Sequence, residues 1–180
     1  MIVTHWDAAL SAHSCFKILK KRNISSHFAI DNDGTIYQMV DTQHIGWHAG
    51  NTKVNNASIG IDFSNAYYMK YQNYYEKKGF GPRPVISDSR IHGVKLGDHL
   101  GYYDVQLAAY KALVKCLAEH YSIELACPLD EDNNMKQEVE ISAVRGNFKG
   151  IVSHYHLTNR KIDCAGLDIN KLLREIEDGN

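Results

Sequence analysis

Cysteine is scarce in this chain, and what there is follows no ligand pattern. Cys15, Cys116, Cys127 and Cys164 are the only four in 180 residues, and no two form a C-x-x-C pair. That excludes a disulfide scaffold, so reduced thiols are expected, with Cys15 and Cys116 as small core residues on helices. No apolar run approaches the length of a membrane span, and no membrane partner is expected. The opening "MIVTHWDAAL" lacks the basic start and apolar stretch of a secretory signal, so synthesis without an export signal is expected. Charge of one sign is missing too: the formal net charge is -1, which gives no general attraction to nucleic acid. Repeats and low-complexity stretches are absent, as is any H-E-x-x-H signature.

What is abundant is histidine, ten in all, a compositional pointer to a metal or acid–base site. The length suits one domain, residues 1–180, with a sizeable core. "MIVTHW" reads as a strand, with Asp7 able to cap a helix over 8–22 that buries Ala8, Ala12, Cys15, Phe16 and Leu19. "SSHFAIDNDGTIYQMV" reads as a hairpin turning at Gly34, and "SIGIDF" as a strand at 58–63. A helix is expected over 104–121 with Tyr110, Leu113, Val114, Leu117 and Tyr121 on one face. A strand is expected at 150–156, and a last helix capped by Asp168. Strands interleaved with helices imply an α/β fold. Residues 65–103 stand apart, holding seven of the eleven tyrosines and two of the three prolines. They read as an insertion whose tyrosines either pack on one another or form a ligand platform.

The stretch "SHYHLTNRKIDCAG" at 153–166 offers His154, His156, Asp163 and Cys164, all zinc-binding residue types. A catalytic zinc takes about three protein ligands and keeps one position open. His5 and His154 sit at strand ends, where a sheet would hold them rigidly, and Asp163 is a candidate third. Each taken singly is weak, because a lone histidine is more often a hydrogen-bonded structural residue.

Taken in order, "IVTHWDA", "SSHFAIDNDGTIYQMVDTQHIGWHAG", "NNASIGIDFS" and "SHYHLTNRKIDCAG" resemble the zinc-dependent N-acetylmuramoyl-L-alanine amidase family. That family includes phage lysozyme-type amidases, muropeptide-recycling amidases and peptidoglycan recognition proteins. The resemblance covers residues 1–64 and 104–176. It implies a mixed central sheet flanked by helices, with Zn2+ in an open groove. It also implies hydrolysis of the amide between N-acetylmuramic acid and L-alanine of the stem peptide. Carried over residue by residue, His5, His154 and Asp163 are the implied zinc ligands. His48, in "WHAG", matches a groove histidine associated with substrate, and Trp47 beside it is placed with it. His27, from its place in "SSHF", is placed on the substrate side as a hydrogen-bond partner near the groove, and Lys161, beside the implied metal, is the candidate oxyanion stabiliser.

Two departures bear on the base. Ser26 stands where the phage branch has a tyrosine, and Asp62 where the recycling branch has a glutamate. Asp62 is therefore the candidate proton carrier, its alternative being a strand residue paired with a cation. His156 stands where the family often has aspartate and reads as structural. Thiolate is a good zinc ligand, so chemistry leaves Cys164 open. The K-x-D pattern, and side-chain alternation in an extended chain, favour Asp163. His13, His44, His92, His99 and His120 carry no assigned role. The only partner expected is peptidoglycan or a muropeptide, bound by a monomer. The implied setting is wall lysis of the phage, or endolysin, type. A cytosolic recycling amidase and a non-catalytic wall-binding module are the alternatives.

Overall fold

The computed structural model describes residues 1–179. The chain begins with β1 (Ile2–Trp6), α1 (Ala12–Lys21) and the hairpin strands β2 (Phe28–Ile30) and β3 (Ile36–Gln38). A short helix α2 (Thr52–Asn56) precedes β4 (Ile59–Phe63). The tyrosine-rich insertion contributes a 3-10 turn at Met69–Tyr71, α3 (Gln72–Lys77) and two-residue strands β5 (Val85–Ile86), β6 (Arg90–Ile91), β7 (Val94–Lys95) and β8 (His99–Leu100). Then come the long helix α4 (Asp104–Tyr121), α5 (Ile141–Val144), β9 (Ile151–Ser153), a 3-10 turn at His154–His156, and α6 (Ile169–Glu177).

Five strands form one mixed sheet in the order β3-β2-β4-β1-β9. Three of its four pairings are parallel, and the β2–β3 hairpin supplies the antiparallel edge. The run IVTHW is buried along its whole length, as expected of a strand covered on both faces. Strand alternation then decides what each face receives. Ile2 and Trp6 point into the main core, where Tyr110, Leu113, Val114 and Leu117 of α4 meet Leu172, Leu173 and Ile176 of α6. Thr4 follows them and meets the Tyr110 hydroxyl at 2.7 Å. Val3 points the other way, into a smaller cluster with Val54, Ala143, Val152 and Leu157. His5 shares that second face, and the parallel register sets it beside Asp62 of β4.

Several expectations change. The first helix starts at Ala12, not at residue 8, because Asp7 is used elsewhere. Its carboxylate accepts from the backbone N–H groups of Ala9 (2.8 Å) and Asn65 (3.0 Å) and from the Ser64 hydroxyl (3.1 Å), which ties the end of β1 to the end of β4. Ser11 takes over as cap, accepting from the Ser14 N–H. Phe16 is consequently 45% exposed and not in the core. Tyr121 is also exposed, and Cys116 faces solvent. The late strand stops at Ser153, and His154 opens a 3-10 turn. The hairpin, the strand through Asp62, the helix over 104–121 and the Asp168 cap are found where the sequence places them. Gly34 turns the hairpin at φ +84°.

The insertion is anchored by Arg83. Its guanidinium donates to the carbonyls of Gly101 (2.7 Å) and Ser64 (2.6 Å), to Gln106 Oε1 (3.1 Å) and to Asn32. It lies 4.3 Å from the Tyr75 ring centroid and 4.4 Å from that of Tyr103. Tyr75, Tyr102 and Tyr103 are thereby spent on internal packing, whereas Tyr68 is half exposed.

Candidate active site

β9 pairs with β1 up to Thr4 and Ser153, so the next residues, His5 and His154, face each other across the end of the two strands. Their Nδ1 atoms are 3.0 Å apart. Asp163 reaches both: its Oδ2 lies 3.3 Å from His5 Nδ1 and 3.1 Å from His154 Nδ1. All three side chains are buried. Three donor atoms within 4.8 Å of one another form a compact metal-type cluster. A tetrahedral zinc with bonds of about 2.0–2.1 Å needs ligand–ligand edges of roughly 3.3 Å, close to the spacings seen.

The hydrogen bonds behind His5 favour a cation as well. The Ser58 hydroxyl donates to the Val54 carbonyl at 2.6 Å, which leaves its oxygen to accept from His48 Nε2 at 3.3 Å. A neutral His48 then presents a bare Nδ1, which accepts from His5 Nε2 at 3.0 Å. His5 is left with its lone pair on Nδ1, the atom that faces His154 and Asp163. A metal-binding imidazole needs this tautomer, and such ligands usually donate their other N–H in this manner. Burial, helped by the neighbouring His5 and His27, pushes the His48 pKa well down, in keeping with a neutral ring. Gly60 lets the ring lie flat on β4, since a Cβ there would meet the His48 ring at 2.7 Å.

The carboxylates differ in environment. Burial would raise Asp163, but the adjacent His154 and His5 rings overcome it and hold the carboxyl well below the usual range. Asp62 goes the other way: burial raises it, against the opposing pull of His5 and Ser26. Burial also pushes Asp7, at the groove floor, up to about 8. A raised carboxyl beside an ionised one suits proton transfer on one side and cation binding on the other. His154 is lowered by burial.

The cluster lies in a groove. Its central part is lined by His5, His154, Asp163, Asp62 and Lys161. One arm runs to Trp47, Asn51, Arg22 and Arg160, with a volume of about 720 Å³. The other runs to Tyr67 and Tyr68.

The structure thus brings His5, His154, Asp163, Asp62, Lys161, His48 and Trp47 to one groove. Two substrate-side histidines keep their ring nitrogens for the protein. His27 is 1% exposed; its Nδ1 accepts from the Gly60 N–H (2.9 Å) and its Nε2 donates to the His44 carbonyl (3.0 Å), so neither nitrogen is free for a substrate. His48 has both nitrogens engaged by His5 and Ser58 and touches the groove only with its ring. His156 is structural, accepting from the Ser153 N–H and donating to the Lys136 carbonyl. Cys164 lies in the core, although residues 163–166 form a turn and not the extended run expected. The sequence reading missed Ser58, Arg22, Arg160, Trp6 and Tyr67. Of these, Trp6 and Arg160 had a signal, as immediate neighbours of His5 and Lys161.

A family model described as N-acetylmuramoyl-L-alanine amidase matches residues 1–165. No curated protein matches the sequence. Among solved structures, the E. coli amidase AmiD, in complex with anhydro-N-acetylmuramic acid-L-Ala-D-gamma-Glu-L-Lys, superposes with a TM-score of 0.62 at 21% identity, over 98% of this chain and 56% of that one. AmpDh3 from Pseudomonas aeruginosa, in complex with anhydromuramic pentapeptide, gives 0.61 at 20% identity, over 98% and 59%. The catalytic domain of XlyA gives 0.52 at 20% identity, over 99% and 83%. At these identities the likeness is one of fold. The chain spans little more than half the length of the AmiD and AmpDh3 structures.

Proposed function

Because this chain belongs to the N-acetylmuramoyl-L-alanine amidase family, we propose that it hydrolyses the amide between the lactyl group of N-acetylmuramic acid and L-alanine of the stem peptide. The observation that carries this reading is the convergence of His5, His154 and Asp163 on one point of an open groove. His5 and His154, each through Nδ1, and the Asp163 carboxylate would hold a zinc ion. When bound, zinc acts as a Lewis acid that lowers the pKa of water toward about 7 and polarises a carbonyl.

The chain's own residues do the rest. Asp62, beside His5 and with its carboxyl raised by burial, takes a proton from the attacking water and returns it to the departing amine of L-alanine. Lys161 faces the groove and offers an ammonium to the charge that develops on the carbonyl oxygen. Arg22, Arg160 and Lys161 give one arm a positive lining, suited to the carboxylates of an acidic stem peptide. AmiD, whose fold is alike, is seen with a muropeptide that carries such a glutamate.

The groove continues on both sides of the ligand set, which favours polymeric wall over a small soluble fragment as substrate. Among the described residues no helix is long and apolar enough to cross a membrane. The test is release of L-alanine amino termini from purified peptidoglycan and from soluble anhydro-muropeptide, before and after chelation and zinc return. Zinc-restorable release, faster on wall, is expected. Full activity without metal removes the zinc reading, preference for the soluble fragment points to recycling, and binding to wall without release points to a non-catalytic module.

A further inference from the structure

The insertion also touches the loop that carries Lys161, through His92, a residue with no role so far. β6 and β7 form a hairpin in which Ile91 pairs with Val94, and its two-residue turn is His92 and Gly93. Both turn residues have positive φ, +53° and +75°. A type I′ turn requires this, and histidine tolerates the left-handed region better than most residues. Ile91, 2% exposed, roots the hairpin in the main core. The Leu96 N–H closes the hairpin base on the Ser89 carbonyl at 2.9 Å, and the His92 N–H donates to the Gln137 carbonyl at 3.0 Å. The His92 ring stands edge-on to buried Tyr155, the neighbour of His154, with centroids 6.3 Å apart. The tip is thus held by its turn, its backbone and its ring.

The ring ends on the Lys161 loop. His92 Nε2 donates to the Lys161 carbonyl at 3.2 Å, across 69 positions of the chain. Among the described residues this is the only hydrogen bond that ties residues 158–162 to a distant part of the chain. The other bonds there are local: the Lys161 N–H donates to the Thr158 carbonyl at 3.3 Å, and the Ala165 N–H to the Ile162 carbonyl at 2.7 Å. Asp163, two residues on, is held separately. Its carbonyl accepts from the Tyr155 N–H at 3.1 Å, and its carboxylate lies against His5 and His154. The metal-type cluster therefore does not lean on His92, whereas the backbone of Lys161 does.

We propose that His92 is a positioning residue for Lys161: the hairpin tip fixes the Lys161 backbone so that its ammonium meets the charge developing on the substrate carbonyl. The inference rests on the amidase reading and on the part Lys161 takes in it. Lysine carries a flexible four-carbon stem, so its head is placed only as well as its backbone is. Lys161 is exposed, and packing does not restrain its side chain. Ile162, half-buried against the core, holds the Asp163 end of the loop. A bond to the Lys161 carbonyl adds what that packing lacks, because it sets the plane of the peptide that follows Lys161. An oxyanion donor acts most strongly when it is in place before the charge develops, and a small displacement costs rate more than binding. The insertion thereby takes part in catalysis without touching substrate.

Two substitutions separate positioning from folding. His92→Asn suits the turn best, because asparagine before glycine is the favoured type I′ pair, but its amide ends at the δ position, short of the Lys161 carbonyl. His92→Gln suits the turn less well but carries an amide N–H at the ε position. On a soluble N-acetylmuramoyl tripeptide, His92→Asn is expected to lower kcat roughly 3- to 30-fold with KM and zinc content unchanged, and His92→Gln to stay within about twofold of wild type. A hairpin that served stability alone would rank the two variants the other way. In the Lys161→Ala background, His92→Asn should cost nothing further, since residues that act through one group do not add. Hydrogen–deuterium exchange of the peptide covering 157–163 reads the tie directly, faster in His92→Asn and like wild type in His92→Gln. Equal kcat in wild type and His92→Asn overturns the proposal, as does an additive loss in the double variant, or a loss in His92→Gln as large as in His92→Asn. Should Lys161→Ala keep full kcat, the proposal falls while the amidase reading stands. Should wild type release no L-alanine, the amidase reading fails, and exchange alone decides whether His92 holds the loop.

Discussion

His5 reaches His48 through Nε2, at 3.0 Å from His48 Nδ1, and thereby turns its other ring nitrogen toward Asp163. The direction of that bond is set two residues further back, where Ser58 donates to Val54 and accepts from His48. Replacing His48 by Phe keeps a ring of similar size over Gly60 but removes the acceptor. Zinc affinity should fall about 10- to 100-fold, as it does when an outer partner of a metal-bound histidine is lost. Competition with a chelating dye measures it, and added zinc should restore much of the activity. Unchanged affinity would show that the orientation of His5 is set elsewhere.

Lys161 is exposed and lines the groove, and its side chain holds no ligand in place. Lys161→Ala should therefore lower kcat by roughly 10²-fold, as loss of an oxyanion donor does, with zinc content unchanged. A fall in zinc content alongside activity would assign it a structural role.

Asp163 and Cys164 are adjacent, and only one faces the histidines. Asp163→Ala should lose tight zinc and activity together. Cys164→Ser should keep both, because the thiol is in the core and its N–H already donates to Ser153 Oγ. Metal analysis of the two purified variants decides it, and the reverse pattern would make Cys164 the third ligand.

The parts of the fold legible in sequence share one property: they depend on neighbours in the chain. Strand β1, the Gly34 hairpin, α4 and the Asp168 cap follow from local periodicity and turn chemistry; the candidate set of His5, His154 and Asp163, distant in the chain, follows instead from the family resemblance. What the sequence hid depends on residues far apart. Asp7 looked like a helix cap but is captured by Ser64 and Asn65. The tyrosines of 65–103 looked alike, yet Arg83 draws Tyr75 and Tyr103 inward while Trp6 draws Tyr67 to the groove. Ser58 carried no signal, because its role exists only once β4 brings it under His48.

His27 yields a pH dependence of stability. Its Nδ1 accepts from the Gly60 N–H and its Nε2 donates to the His44 carbonyl, so a proton added at Nδ1 would set N–H against N–H. Burial lowers its pKa from the ordinary 6.5, opposed by the bond to His44. The unfolded chain therefore binds a proton more readily than the folded one between the lowered value and 6.5. Stability from this group is complete above pH 6.5 and is lost as pH falls through the folded value. One proton, about 1.4 kcal/mol per pH unit, is the upper bound on the slope from this group. Urea unfolding between pH 7.5 and pH 5, with chelator present to remove any metal contribution, gives the slope for wild type and for His27→Gln. Other groups of either sign remain in both proteins and largely cancel in the difference. His27→Gln should be less stable at pH 7.5, since glutamine fits the two bonds less well, but should lose stability less steeply on acidification. Parallel slopes would mean that His27 takes up its proton in the folded protein as readily as in the unfolded chain, and that the two bonds do not lock the neutral ring.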